Sequence, residues 1–108
     1  MRTGLAAGVL VLGALWVAPL SAYDGLQKDF GTCLQGSGKV ANSVIVAACS
    51  RLIDNAKTEN ELIGFAYAMR ATVNSDKASN CRDAKKVMKL VKAPAVVTGA
   101  KEIIAKNC

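Results

Sequence analysis

No histidine occurs among the 108 residues, and that absence narrows the chemistry first. Histidine is the side chain whose ordinary pKa lies nearest neutrality, so the commonest general base and the commonest metal ligand are both missing. Aromatic residues are scarce: one Trp, two Tyr and two Phe. A nucleic-acid surface built on base stacking is disfavoured by that scarcity. The four cysteines include no Cys-x-x-Cys pair, which argues against both a structural zinc site and a thioredoxin-like redox centre. Gly36-Ser37-Gly38-Lys39 has neither the spacing of a phosphate-binding loop nor a strand before it. Ser50 has no basic partner nearby in sequence, and the acids Asp54, Glu59 and Glu61 read as a solvated turn. The chain therefore offers no catalytic, cofactor-binding or metal-ligating set, and the expectation is a protein that is not an enzyme.

What is present begins with an apolar leader. Arg2 precedes an apolar and small-residue run from Leu5 to Val17, Pro19 breaks it, and Leu20-Ser21-Ala22 offers a small residue for cleavage. That order is the layout of a secretory signal peptide over 1–22. The run is shorter than the about 20 residues a spanning helix needs, and Gly8, Gly13 and Pro19 interrupt it. The expected product is one exported domain, 23–108, periplasmic or secreted. A domain that small buries only about 60% of its chain surface and is marginal without a covalent staple.

All four cysteines, Cys33, Cys49, Cys81 and Cys108, fall in that domain. An even number in a small exported chain reads as two disulfides, with three pairings open. Helical spacing helps to choose. Leu26, Phe30, Cys33 and Leu34 form one stripe, expected near 24–35. Ile45, Ala48, Cys49, Leu52 and Ile53 form a second, with Asn42 or Ser43 as its cap. Thr58-Glu59-Asn60-Glu61 reads as a capping box for a third helix carrying Leu62, Phe65, Ala66, Met69 and Val73. Asn80 is the expected cap of a fourth, with Asp83 in its first turn and Ala84, Val87, Met88 and Val91 inward. Pro94 opens a fifth helix to about Asn107, with Val97, Ala100, Ile103 and Ile104 inward and Gly99 weakening its first turn. No run alternates as a strand does. The fold class is all-α: an array of four to five short helices in which consecutive helices are antiparallel. In that arrangement Cys33 faces Cys49, while Cys81 and Cys108 meet at the shared end of the last hairpin.

Three stretches carry a family resemblance: Ala47-Ala48-Cys49-Ser50-Arg51-Leu52-Ile53 after the lone Cys33, then Ala66-Tyr67-Ala68-Met69-Arg70, then Ala84 in the following helix. From Cys33 to about Val91 the chain resembles small exported bacterial tetratricopeptide-repeat proteins. One degenerate repeat is present, with no second copy at the period of about 34 residues. The polar turn from Asn74 to Arg82 and the ending Leu90-Val91-Lys92-Ala93-Pro94 depart from the usual repeat. The resemblance implies a helical-hairpin array that binds proteins, with the first two cysteines bridged.

Charge is unevenly placed. From residue 77 onward Lys77, Arg82, Lys85, Lys86, Lys89, Lys92, Lys101 and Lys106 outnumber Asp83 and Glu102, whereas 23–76 is nearly balanced. Lys85, Lys86, Lys89 and Lys92 surround the apolar stripe of the fourth helix; this basic face reads first as a solubilising helix face and second as the candidate binding surface, for an acidic partner or anionic lipid. The leading expectation is a small exported, non-enzymatic module that binds another protein through a helical-hairpin surface, an acidic partner being one option. The alternatives are a protein held at the envelope or at an anionic membrane surface by the basic helix at 81–92, and a periplasmic stress chaperone or inhibitor-like protein. Nucleic acid is the least favoured partner.

Overall fold

The computed structural model describes residues 25–57 and 59–108, so the expected leader at 1–22 lies outside the described residues. The described chain is all-helical: α1 (25–35), α2 (Asn42–Asn55), α3 (Glu61–Val73), α4 (Lys77–Leu90) and α5 (Pro94–Asn107). The connection from α1 to α2 turns through Gly38, whose φ of 80° is a conformation that side chains with a Cβ rarely adopt. The links from α3 to α4 and from α4 to α5 are three residues each, 74–76 and 91–93, and such short links fold neighbouring helices antiparallel.

Three of the expected helix starts are corrected. Neither Asn42 nor Ser43 caps α2; its cap position is Ala41, which makes no side-chain cap bond. The cap of α3 is Asn60, whose Oδ1 accepts the Ile63 backbone N–H at 3.0 Å. Thr58, the expected cap there, lies outside the described residues. The fourth helix begins at Lys77, so Asn80 and Asp83 are interior residues and both are buried. Asn80 closes the α3–α4 turn from inside, its Nδ2 donating to the Asn74 carbonyl at 2.7 Å. A short amide satisfies a turn carbonyl as readily as a helix N-terminus, and tertiary packing decides between the two. Pro94 opens α5 as expected.

The helices pack in chain order, and α3 touches α2, α4 and α5. Two apolar clusters result. In the first, Cys33, Ile45, Ala48, Cys49, Leu52 and Ala66 are buried, with Leu26, Phe30, Leu34 and Met69 against them. In the second, Ala84, Val87, Val91 and Ala100 are buried beneath Phe65, Tyr67, Val96 and Ile103. Helix α3 feeds both, which splits its expected single stripe: Ala66, Met69 and Val73 face one cluster, Phe65 and Ala68 the other. Leu62, expected inward, is 45% exposed, and Val96 takes the packing place expected for Val97. Ala48, Ala66 and Ala84 are fully buried, and side chains that small let helix backbones approach closely. Gly64 does the same where α3 crosses the end of α4, since a Cβ there would meet Val91 Cγ2 at 2.5 Å.

One disulfide lies inside the first cluster, and the other closes the α4–α5 hairpin outside the second. Cys33–Cys49 ties α1 to α2 and Cys81–Cys108 ties α4 to the end of α5, with Cα atoms 4.8 and 5.2 Å apart. This is the pairing that the helix map favours. Each bridge contributes about 3 kcal/mol, comparable to full burial of a large aliphatic side chain such as Ile45 or Leu52. The two differ in access: Cys33 and Cys49 are fully buried, whereas Cys108 is exposed. Mild reductant without denaturant, followed by alkylation and mass mapping, is expected to label Cys81 and Cys108 well before Cys33 and Cys49. Labelling of both pairs at one rate would contradict the burial difference.

Candidate functional site

The polar residues of the resemblance motifs are put to structural use. Arg70 of α3 donates from Nε to Asp83 Oδ2 at 2.7 Å, from Nη2 to Asp83 Oδ1 at 2.9 Å and from Nη1 to Ser50 Oγ at 3.0 Å. One guanidinium thus joins α2, α3 and α4. The Asp83 bond raises the Arg70 pKa above its ordinary value, partly opposed by burial. The Asp83 side chain is 5% exposed and that of Arg70 18%, so the pair is largely removed from water. Next to Ser50, Arg51 reaches the other way and donates to both Asp29 oxygens of α1, at 3.0 and 3.1 Å from Nε. Arg70 also lies 5.6 Å from the centre of the Tyr67 ring. Burial, and then the charge of Glu59, raise the Tyr67 phenol above its usual range.

The candidate lysines divide. The buried face of α4 is Asn80, Asp83, Ala84 and Val87; Lys85 and Lys89 are exposed on the opposite side, one turn apart. Lys86 is committed to a contact within the chain: its Nζ lies 2.7 Å from Glu59 Oε2, and that bond raises its pKa. Lys92 is exposed but lies beyond the helix end. Arg82, which is not one of the four candidate lysines, is exposed three residues before Lys85 and seven before Lys89. The outward cationic stripe is therefore Arg82, Lys85 and Lys89, none of which forms an ion pair among the described residues. Helical projection from residue 82 was the signal that could have found it.

A second feature was not legible as a site. Helices α3 and α5 both lean on α4 and touch each other sparsely, leaving a groove between them. At one end lies an apolar hollow of about 200 Å³, with Ala68 and Thr72 on the α3 side, Val96, Gly99, Ala100 and Ile103 on the α5 side, and Val87 of α4. Past Thr72, Gly99 and Ile103 a more polar hollow of about 400 Å³ adjoins it, lined also by Asn80, Glu102 and Lys106. Asn80 is 5% exposed, and its Oδ1 has no hydrogen-bond partner. Gly99 sits mid-helix, yet a Cβ there would meet nothing within 4 Å. Glycine in a helix costs about 0.5–1 kcal/mol relative to alanine, and unlike Gly64 this one meets no packing need of the chain.

Comparison with protein families, curated proteins and solved structures finds no match to this chain. Its reading therefore rests on its own residues. Among the described residues no helix is long and apolar enough to cross a membrane, and no group of three or more Cys, Asp or Glu could hold a metal ion.

The junction makes a quantitative prediction. Arg70→Leu strands the buried Asp83 carboxylate and is expected to destabilise the fold by about 3 kcal/mol, the lower end for a broken buried pair because Arg70 keeps some exposure. Ser50→Ala removes one bond to a charged donor, worth about 1.5 kcal/mol. The double variant Arg70→Met, Asp83→Leu is expected to regain most of the Arg70 loss. Urea unfolding measures all three; an Arg70→Leu cost below about 1 kcal/mol, the range of exposed pairs, would remove the junction's structural role.

Proposed function

We propose that this protein is an exported, non-enzymatic interaction module that holds a partner protein against its helical-hairpin surface. The observation that carries the reading is the groove between α3 and α5, left open by a frame that two disulfides and a three-helix ion-pair junction hold together. Helices α3 and α5 both pack on α4, which gives the array of helical hairpins that this reading requires. The two disulfides support export, because such bridges persist in oxidising compartments. Three carboxylates are engaged structurally: Asp29 with Arg51, Asp83 with Arg70 and Glu59 with Lys86.

A second reading is favoured by the unpaired stripe of Arg82, Lys85 and Lys89, which suits an acidic partner surface. It fits a membrane less well. The apolar side of α4 (Ala84, Val87 and Val91) is consumed by the core, so only charge remains for lipid.

Two measurements separate the readings. Affinity capture of the folded protein from envelope extract is expected to recover one stoichiometric partner, lost after reduction and unfolding of the bait; recovery of none would overturn the leading reading. Co-sedimentation with anionic vesicles is expected to be weak and to vanish at raised salt. Tight binding that survives salt and is abolished by Lys85→Glu with Lys89→Glu would instead establish the membrane alternative.

A further inference from the structure

We infer that Cys81–Cys108 is an exchangeable disulfide, opened at Cys108 by the dithiol of a thiol oxidoreductase, and that its opening releases α5 from α4. The inference does not rest on the interaction-module reading, because exchange and release are both read without a bound partner.

Three observations carry it. The first is where the two bridges stand. Cys33 and Cys49 are fully buried members of the first apolar cluster. Cys81 is half-buried, Cys108 is exposed, and neither is in either apolar cluster. An attacking thiolate needs access to a sulfur, so exposed disulfides are the labile ones. The second is how lightly α5 is otherwise held. Each of α2, α3 and α4 buries four residues, whereas α5 buries Ala100 alone. It touches α3 sparsely, and Gly99 in its middle weakens it as a helix. A helix of that length has little stability of its own in water. The third is the charge around the bridge. Lys77, Arg82 and Lys85 are exposed within about one turn of Cys81, and Lys106 is exposed two residues before Cys108. Asp83 is turned inward to Arg70, which leaves Asp76 and Glu102 as the nearby acids. Such an excess of cations favours the approach of an anionic thiolate.

The exchange is a balanced two-electron step. A thiolate of the oxidoreductase attacks Cys108 Sγ and bonds to it. The bridge's Sγ–Sγ bond breaks, and Cys81 leaves as a thiolate that takes a proton from solvent. The second thiolate of the dithiol then attacks its own protein's sulfur in the mixed disulfide and releases Cys108. The dithiol ends as a disulfide and the bridge as two thiols. Freed at that end, α5 opens and uncovers the apolar face of α4 at Val87. Asn80 and Asn107, the neighbours of Cys81 and Cys108, both line the larger hollow between α3 and α5, so that hollow loses one wall. Cys33–Cys49 and the Arg70 junction keep α1 to α4 closed.

The probe is a thioredoxin-type Cys-x-x-Cys protein whose second cysteine is replaced by serine, so that the mixed disulfide accumulates. Mixed with the oxidised folded protein, it is expected to become linked to Cys108, with Cys81 recovered as the free thiol in peptide mapping. Linkage to Cys81, linkage to Cys33 or Cys49 at a comparable rate, or no linkage at all would overturn the inference. Hydrogen exchange of the wild-type chain, before and after the intact two-cysteine probe has reduced Cys81–Cys108, reads the release. The α5 amides are expected to exchange at least about tenfold faster after reduction, a factor within the usual contribution of one bridge. They are expected to do so in an opening separate from that of the most protected α3 amides. Unchanged exchange in α5, or loss of α5 and α3 in one common opening, would show a plain staple and overturn the inference. Oxidised glutathione added afterwards is expected to restore both the pairing and the α5 protection; re-pairing of Cys81 or Cys108 with Cys33 or Cys49 would count equally against it.

Discussion

Arg70 is the point at which the two halves of this protein are joined. Among the described residues α3 is the one helix that faces both apolar clusters, and a helix with two buried sides has little surface left for polar groups. Arg70 uses that remaining surface for three directed bonds, two to Asp83 behind it and one to Ser50 ahead of it. The apolar contacts supply most of the stabilisation, but they are non-directional. The guanidinium fork sets the rotation of α3 relative to α2 and α4, because its planar donors accept only a narrow range of geometries. Helix α5 is seated on α4 by its three-residue link and by Cys81–Cys108, and the groove lies between it and α3.

The division of labour between covalent and non-covalent links follows from size. A chain this short cannot close its ends by apolar burial alone. Each disulfide therefore secures a peripheral helix, α1 through Cys33–Cys49 and the end of α5 through Cys81–Cys108. The middle helices α2, α3 and α4 are bound to one another by packing and by Arg70. That arrangement leaves a groove between α3 and α5.

Sequence periodicity carried the helix count, the all-α class and the disulfide pairing, because these depend on spacing that packing does not disturb. Cysteine stripes at Cys33 and Cys49 point inward whichever residue ends each helix. Helix starts were less legible. Asn80 and Asp83 have the composition of a helix N-terminus, yet tertiary partners, Asn74 and Arg70, outbid the local preference. Ser50 and Arg70 were visible as motif residues, but the bond between them spans 20 positions and no local pattern announces it. The candidate lysines were legible as a basic face. What the sequence could not separate was Lys86, drawn off by Glu59, from Lys85 and Lys89. The groove was hidden for a simpler reason: it lies between α3 and α5, which touch each other sparsely, and no local pattern announces such a space.

The account's central claim is that α3, fixed by Arg70, makes the two clusters one cooperative unit. Native-state amide hydrogen exchange in low denaturant tests it most directly, because it resolves opening free energies helix by helix. The most protected amides of α2, α3 and α4 are predicted to exchange through one common opening, with one denaturant dependence. Protection in α2 that is lost in a separate, lower-energy opening while α4 and α5 remain closed would show two independently stable halves and contradict the claim.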